Sequence, residues 1–103
     1  MDVFVAVADP NRRVLLDLLA DGERTAGELA EALPGLTQPA VSHHLRVLRE
    51  AGLVAVRAEG QRRVYRLRPE GLSELHLWAA RHRRFWPGHL DHLQRYLDDN
   101  RGG

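Results

Sequence analysis

The sequence predicts a mainly α-helical domain with one small β-hairpin. Three observations carry that prediction. Apolar residues recur at helical spacing over most of the chain, residues 53–68 switch to β-forming types around a glycine turn, and Asp-Pro, Pro-Gly and lone Gly breaks divide the helical pattern into short pieces. With 103 residues and no cysteine, we expect a single domain over residues 1–103, without disulfides, thiolate metal sites or cysteine nucleophiles. A core of this size has little surplus, so self-association is a natural source of further burial. The longest apolar run, residues 3–8, is far short of the ~20 residues of a membrane span, and no charged start, apolar stretch and cleavage site announces secretion. A cytoplasmic protein with no membrane partner is expected.

Residues 3–8 read as a short apolar helix ended by Asp9-Pro10, because the residue before proline avoids helical geometry. From Asn11, Val14, Leu15, Leu18 and Leu19 repeat at helical spacing and stop at Asp21-Gly22. Residues 25–33 open with a capping box, Thr25 with Glu28, and Leu29, Ala32 and Leu33 give that helix a buried side. Pro34-Gly35 breaks it. Thr37 is suited to cap the next helix, residues 37–51, whose first turn accommodates Pro39 and whose end is the stop residue Gly52.

Within that helix Val41, Leu45 and Leu48 fall at i, i+4 and i+7 and form a core stripe. At 100° per residue Pro39, His43, Arg46 and Glu50 lie opposite it, with Ser42 and Arg49 on its flank. Ser and His are only middling helix formers, so something other than helix stability selects them here. Exposed side chains near the start of such a helix are where a helix-turn-helix reads base edges in the major groove. Two strand patterns follow, residues 53–58 and 63–68, joined through Glu59-Gly60-Gln61-Arg62, with Arg57, Arg62 and Arg63 expected to cluster at the tip. Helix, helix, break, helix and an arginine-tipped hairpin is the order of a winged helix-turn-helix: helix-turn-helix at about 25–51, wing at about 53–68.

Residues 70–100 return to helical spacing, with Leu72, Leu75 and Ala79 on one line and Trp86, Leu90, Leu93 and Leu97 on another. Pro87-Gly88 predicts a kink or a junction of two helices near Phe85. The apolar first helix and the aromatic-rich end are expected to pack together as dimerisation helices, about 2–8 and 70–99. The residues expected at that interface are Val3, Phe4, Leu75, Trp78, Phe85, Trp86, Leu90, Leu93 and Leu97.

The net charge of +1 conceals a steep asymmetry. Residues 1–36 carry three Arg against seven acids, residues 37–68 carry seven Arg against two, and residues 69–103 balance at five of each. A basic window over the reading helix and hairpin is the electrostatic footprint of a phosphate-binding surface. Double-stranded DNA is thus the expected partner, met by Thr37, Gln38, Pro39, Ser42, His43, Arg46 and Arg49 of the helix and by Arg57, Arg62 and Arg63 of the hairpin. A winged helix serving only protein interaction would tolerate uncharged surfaces at both places. Catalysis is disfavoured: Ser42, His43 and His44 are adjacent and point about 100° apart, and there is no phosphate loop, zinc-protease motif or carboxylate pair with a cleft.

The stretch "QPAVSHHLRVLREAGLV" followed by "EGQRRVYRL" resembles the ArsR/SmtB family of bacterial transcriptional repressors, with similarity over about residues 2–100. That resemblance implies a winged-helix homodimer that binds operator DNA near its own promoter and releases it when an inducer, often a metal ion, binds. It also implies that Gln38, Pro39, Ser42, His43 and Arg46 belong to the recognition helix, although Pro39 stands where the family commonly has a small hydroxyl residue, and that His44 pairs with Leu45 in a recurrent His-Leu unit. The His44 ring lies beside the core by angle, so a structural, hydrogen-bonded role is expected for it.

The family's cysteine pair before the recognition helix is absent, since "GELAEAL" occupies that stretch. A second family site draws acid and histidine ligands from the last helix, where this chain has Glu74, His76, His89, Asp91 and His92. These could suit zinc, nickel or copper, making a metal-responsive repressor the alternative reading. The spacing from His76 to His89 exceeds that site's and Pro87 intervenes, so no metal and no cofactor is expected. The "RFWPGHLDHLQRYL" ending is similar to a metal-independent branch, which implies control by a small-molecule inducer, a partner protein or expression level.

Overall fold

The computed structural model describes residues 1–83, as five α-helices, three strands and a 3-10 turn among those residues. Helix α1, Val3–Ala8, is capped by Asp2, whose carboxylate accepts from the Phe4 N–H at 2.7 Å. Asp9 closes α1 and caps α2, Pro10–Ala20, accepting from the Asn11 and Arg12 amides. The helix therefore starts one residue before Asn11, with Pro10 in the position that proline favours. Its buried residues are Leu15, Leu16 and Leu19, whereas Val14 is 40 % exposed and Leu18 only half-buried. The expected stripe was thus displaced: the helix turns the Leu15–Leu16 side, not Val14, into the core.

Strand β1, Arg24–Thr25, leads straight into α3, Ala26–Glu31. The capping box predicted there is complete: the Glu28 N–H donates to Thr25 Oγ1 and the Thr25 N–H donates to the Glu28 carboxylate at 2.9 Å. Leu29 is fully buried, but Ala32 is an exposed end residue and not part of a buried side.

Helix α4, Gln38–Glu50, is capped by the Thr37 hydroxyl, which accepts from the Ala40 N–H, and packs against α1, α2, α3 and β2. Val41, Leu45 and Leu48 are buried as expected, and Val47 joins them at 6 % exposure. The helix ends in a Schellman motif: the Leu53 N–H donates to the Leu48 carbonyl and the Gly52 N–H to the Arg49 carbonyl, both at 3.0 Å, around Gly52 at φ +77°.

Strands β2, Val54–Glu59, and β3, Arg62–Leu67, form the hairpin, with Glu59 opposite Arg62 and Val56 opposite Tyr65. Each strand is offset by one residue from the expected span, which leaves Gly60-Gln61 as a two-residue loop. Gly60, at φ +63°, occupies the first central position, where a type II′ hairpin turn requires positive φ. β1 pairs with β3 through Arg24–Tyr65 and Thr25–Val64, giving an antiparallel sheet of order β1-β3-β2 that sequence periodicity did not foretell.

A 3-10 turn, Pro69–Leu72, returns the chain to the body, where the backbone of Gly71 lies directly against the Gly52 carbonyl and leaves no room for a Cβ. Helix α5, Ser73–Arg81, then runs beside α1. It closes at His82, whose N–H donates to the Trp78 and Ala79 carbonyls. The expected break near Phe85, and with it Trp86, His89, Leu90, Asp91, His92, Leu93 and Leu97, lies outside the described residues. No helix among the described residues is long and apolar enough to cross a membrane.

Candidate nucleic-acid interface

Hydrophobic burial of Val41, Leu45, Val47 and Leu48 fixes the rotation of α4, and that rotation leaves Gln38, Pro39, Ser42, His43, Arg46 and Arg49 exposed on its far side. One turn separates His43 from Arg46, and the Arg46 guanidinium donates to His43 Nδ1 at 3.2 Å. Because arginine can only donate, this bond requires the lone pair on Nδ1 and places the ring proton on Nε2. His43 therefore presents an N–H outward, suited to an acceptor such as guanine O6 or N7 or thymine O4.

The wing meets the same surface. Side chains alternate across a strand, so Arg63 shares the face of Tyr65 while Arg62 lies on the other. Arg63 and the buried Tyr65 line, with Gln38, Ser42, Arg46 and Arg49, a cleft of about 420 Å³ between α3, α4 and the hairpin. Arg62 borders a neighbouring hollow with Thr25, Gln61 and Glu28. Arg46 and Arg49 of the helix and Arg63 of the wing thus open on one cleft, whereas Arg62 borders a hollow that Glu28 and Glu31 share.

Arg57 departs from the expected cluster. It lies opposite Val64, below the turn, and its two terminal nitrogens are committed to Glu23 at 2.7 Å and Glu59 at 3.0 Å. Its neutralisation was not visible in sequence because Glu23 is distant along the chain. Thr37 likewise spends its hydroxyl on the helix cap. His44 is half-buried and directed away from this surface, its Nδ1 accepting from Arg12 at 3.2 Å.

Of the residues expected at a dimer interface, Val3 is buried in the protomer's own core at 4 % exposure, and Phe4 and Leu75 are half-buried against it. Val3 therefore has little left to offer a partner. Trp78 meets Phe4 edge-on, with ring centroids 5.6 Å apart, yet stays 46 % exposed, and Leu77 is more exposed still. His76 is exposed on α5, and no three potential ligands among the described residues gather closely enough to hold a metal ion.

Helix α4 packed against α1, α2 and α3, with an arginine-bearing hairpin beside it, is the architecture of a winged helix-turn-helix regulator of the DNA-binding type. A helix-turn-helix domain family matches residues 7–57. The HTH-type transcriptional regulator Rv2034 of Mycobacterium tuberculosis is 44 % identical over 93 residues, covering 90 % of this chain and 83 % of that protein. The transcriptional repressor SdpR of Bacillus subtilis is 39 % identical over 77 residues, covering 75 % and 84 %. Among solved structures, a possible transcriptional regulator for arsenical resistance matches with TM-score 0.73 and 44 % identity over 92 % of this chain and 95 % of that one. The homodimeric winged helix-turn-helix DNA-binding domain Mb0332 of Mycobacterium bovis matches with TM-score 0.65 and 36 % identity over 87 % and 80 %. The chain belongs to the ArsR/SmtB family of transcriptional regulators.

Proposed function

We propose that this protein is a homodimeric repressor that binds a palindromic operator, regulates its own promoter, and acts by binding rather than by catalysis. The observation that carries the reading is the shared surface of α4 and the wing, where Ser42, Arg46, Arg49 and Arg63 open on one cleft beside His43. In this reading α4 enters the major groove, Ser42 and His43 meet base edges, and Gln38 both reads and positions. Thr37 and Pro39 lie at the groove edge, Arg46 and Arg49 meet bases or backbone, and Arg62 and Arg63 hold phosphates. Arg57 joins them only on leaving Glu23 and Glu59.

Dimerisation through α1 and α5 is supported by the exposed Trp78 and Leu77 and by the homodimeric Mb0332 domain. A two-fold dimer would present its reading helices to half-sites about one helical turn, roughly 34 Å, apart. The relatives named as transcriptional regulators support a non-enzymatic role in the compartment that holds the DNA. Selection from a random duplex pool tests the proposal: a two-fold symmetric site bound with steep salt dependence is expected. Capture of no preferred sequence would overturn it.

A further inference from the structure

The four C-terminal carbonyls of α1 are claimed by two consecutive arginines of α2. Arg13 Nη1 donates to the Val7 and Ala8 carbonyls, at 2.8 and 3.1 Å, from an exposed position. Arg12 Nε donates to the Ala6 carbonyl at 2.6 Å and its Nη2 to the Val5 carbonyl at 3.1 Å, while Asp9 lies 3.8 Å away. The remaining nitrogen of Arg12, Nη1, reaches His44 Nδ1 on α4 at 3.2 Å. The Arg12 side chain is only 12 % exposed. A guanidinium is a planar fork whose donors cannot turn independently, so fixing two prongs on α1 fixes the direction of the third. At 100° per residue His44 lies on the α4 flank between Leu48 and Val47. His43 and Arg46 ride on the same rigid helix, so a rotation permitted at His44 is transmitted whole to the reading face.

We propose that Arg12 is a positioning residue, tying α1 to the recognition helix through His44 and so setting the orientation in which α4 is presented relative to the α1–α5 face. The inference rests on the function proposed above. In a dimer joined at α1 and α5, this link controls the separation of the two reading helices. Phe4 completes the path on the other side, carrying α1 onto Trp78 of α5. Arg13 performs the same capping chemistry on α1, with no bond to α4 among those described, and is therefore an internal control.

The test compares Arg12→Met, Arg13→Met, His44→Phe, His44→Gln and the Arg12→Met/His44→Phe pair in the full chain. The probes are the duplex selected by the unmutated protein and a scrambled duplex of equal length. A hydrogen bond to a charged group corresponds to about tenfold or more in an equilibrium. Arg12→Met and His44→Phe should each lower the selected-to-scrambled affinity ratio by about tenfold, and the pair should lose no more than either alone. Arg13→Met, and His44→Gln with its carbonyl acceptor for Arg12, should stay within about threefold. In the free protein, Arg12→Met should shift the His44 ring nitrogen resonances and Arg13→Met should not. Equal losses in the two arginine variants, independent losses in the pair, or unmoved nitrogen resonances would overturn the positioning role. If Arg12→Met does not fold, His44→Phe against His44→Gln makes the same comparison. An unmutated protein with no preferred sequence sinks the function itself, whereas a preference that survives Arg12→Met sinks only the role of Arg12.

Discussion

Arg57 of the wing meets Glu23, which precedes β1, across 2.7 Å, and this ion pair holds the hairpin to the body from outside the sheet. Both partners are about half exposed, and such pairs contribute little to stability. Glu23→Gln should therefore leave the melting temperature nearly unchanged. It frees one of the two terminal nitrogens of Arg57, the other staying on Glu59, and removes one negative charge from the wing, so affinity for any DNA should rise several-fold and the salt dependence steepen by about one unit. Fluorescence anisotropy at three salt concentrations reads both; an unchanged slope would make Arg57 only a brace.

His43 and Arg62 should separate cleanly. Arg62→Ala should weaken binding to all sequences alike and flatten the salt dependence by about one unit, as loss of a phosphate contact does. His43→Ala should change which bases are preferred, because it removes the Nε2–H donor that Arg46 orients. Repeating the duplex selection with each variant decides, and equal losses on every sequence would refute a reading role for His43.

Gly71 should tolerate no side chain. A Cβ there would fall within the Gly52 carbonyl, and both contacts are backbone that cannot swing aside. Gly71→Ala is expected to cost about 1–3 kcal/mol, as overpacking does, which lowers the melting temperature by several degrees or more at about 4–8 °C per kcal/mol. Gly35→Ala, with open space around its Cβ position, is the matched control. Equal melting temperatures for the two variants would mean that the 3-10 turn can move.

Acid should destabilise the fold through two capping carboxylates. The Thr25 amide, followed by its hydroxyl, holds Glu28 below the usual carboxylate range. Burial pushes Asp9 up, but the Asn11 and Arg12 amides, with His44 and Arg12 nearby, outweigh it and leave Asp9 lowered as well. A folded value below the unfolded one means that the stability is fully present above the unfolded value and is lost as pH falls through the folded one. Urea midpoints should therefore decline from about pH 5 downward, and Asp9→Asn with Glu28→Gln should flatten that decline. A slope untouched by the pair would assign acid sensitivity to other groups.

Local chemistry was the legible part of this chain. The Thr25–Glu28 box, the Thr37 cap, the glycine stop at Gly52 and the Val41–Leu45–Leu48 stripe each involve neighbours within one or two turns, and each appears where the sequence places it. Long-range relationships were not legible. β1 has two residues and no periodicity, and exists because Tyr65 and Val64 offer it an edge. Val47 was missed because α4 packs on more than one neighbour and so buries a broader arc than a single stripe. Arg57 counted as a free cation until Glu23 was brought beside it. The exposed face of α4 could be read in advance because it is the complement of a core stripe, whereas the wing's contribution depended on a register that shifted by one residue.

A six-residue helix is too short to persist by itself in water. α1 lasts because Val3 and Ala6 are buried in the core and because Arg12 and Arg13, supplied by the following helix, hold its last carbonyls. Its carbonyl caps are thus supplied wholly by side chains of α2, so the end of the first helix depends on the second being in place. The amide hydrogens of α1 should therefore exchange as a unit whenever the two arginines let go.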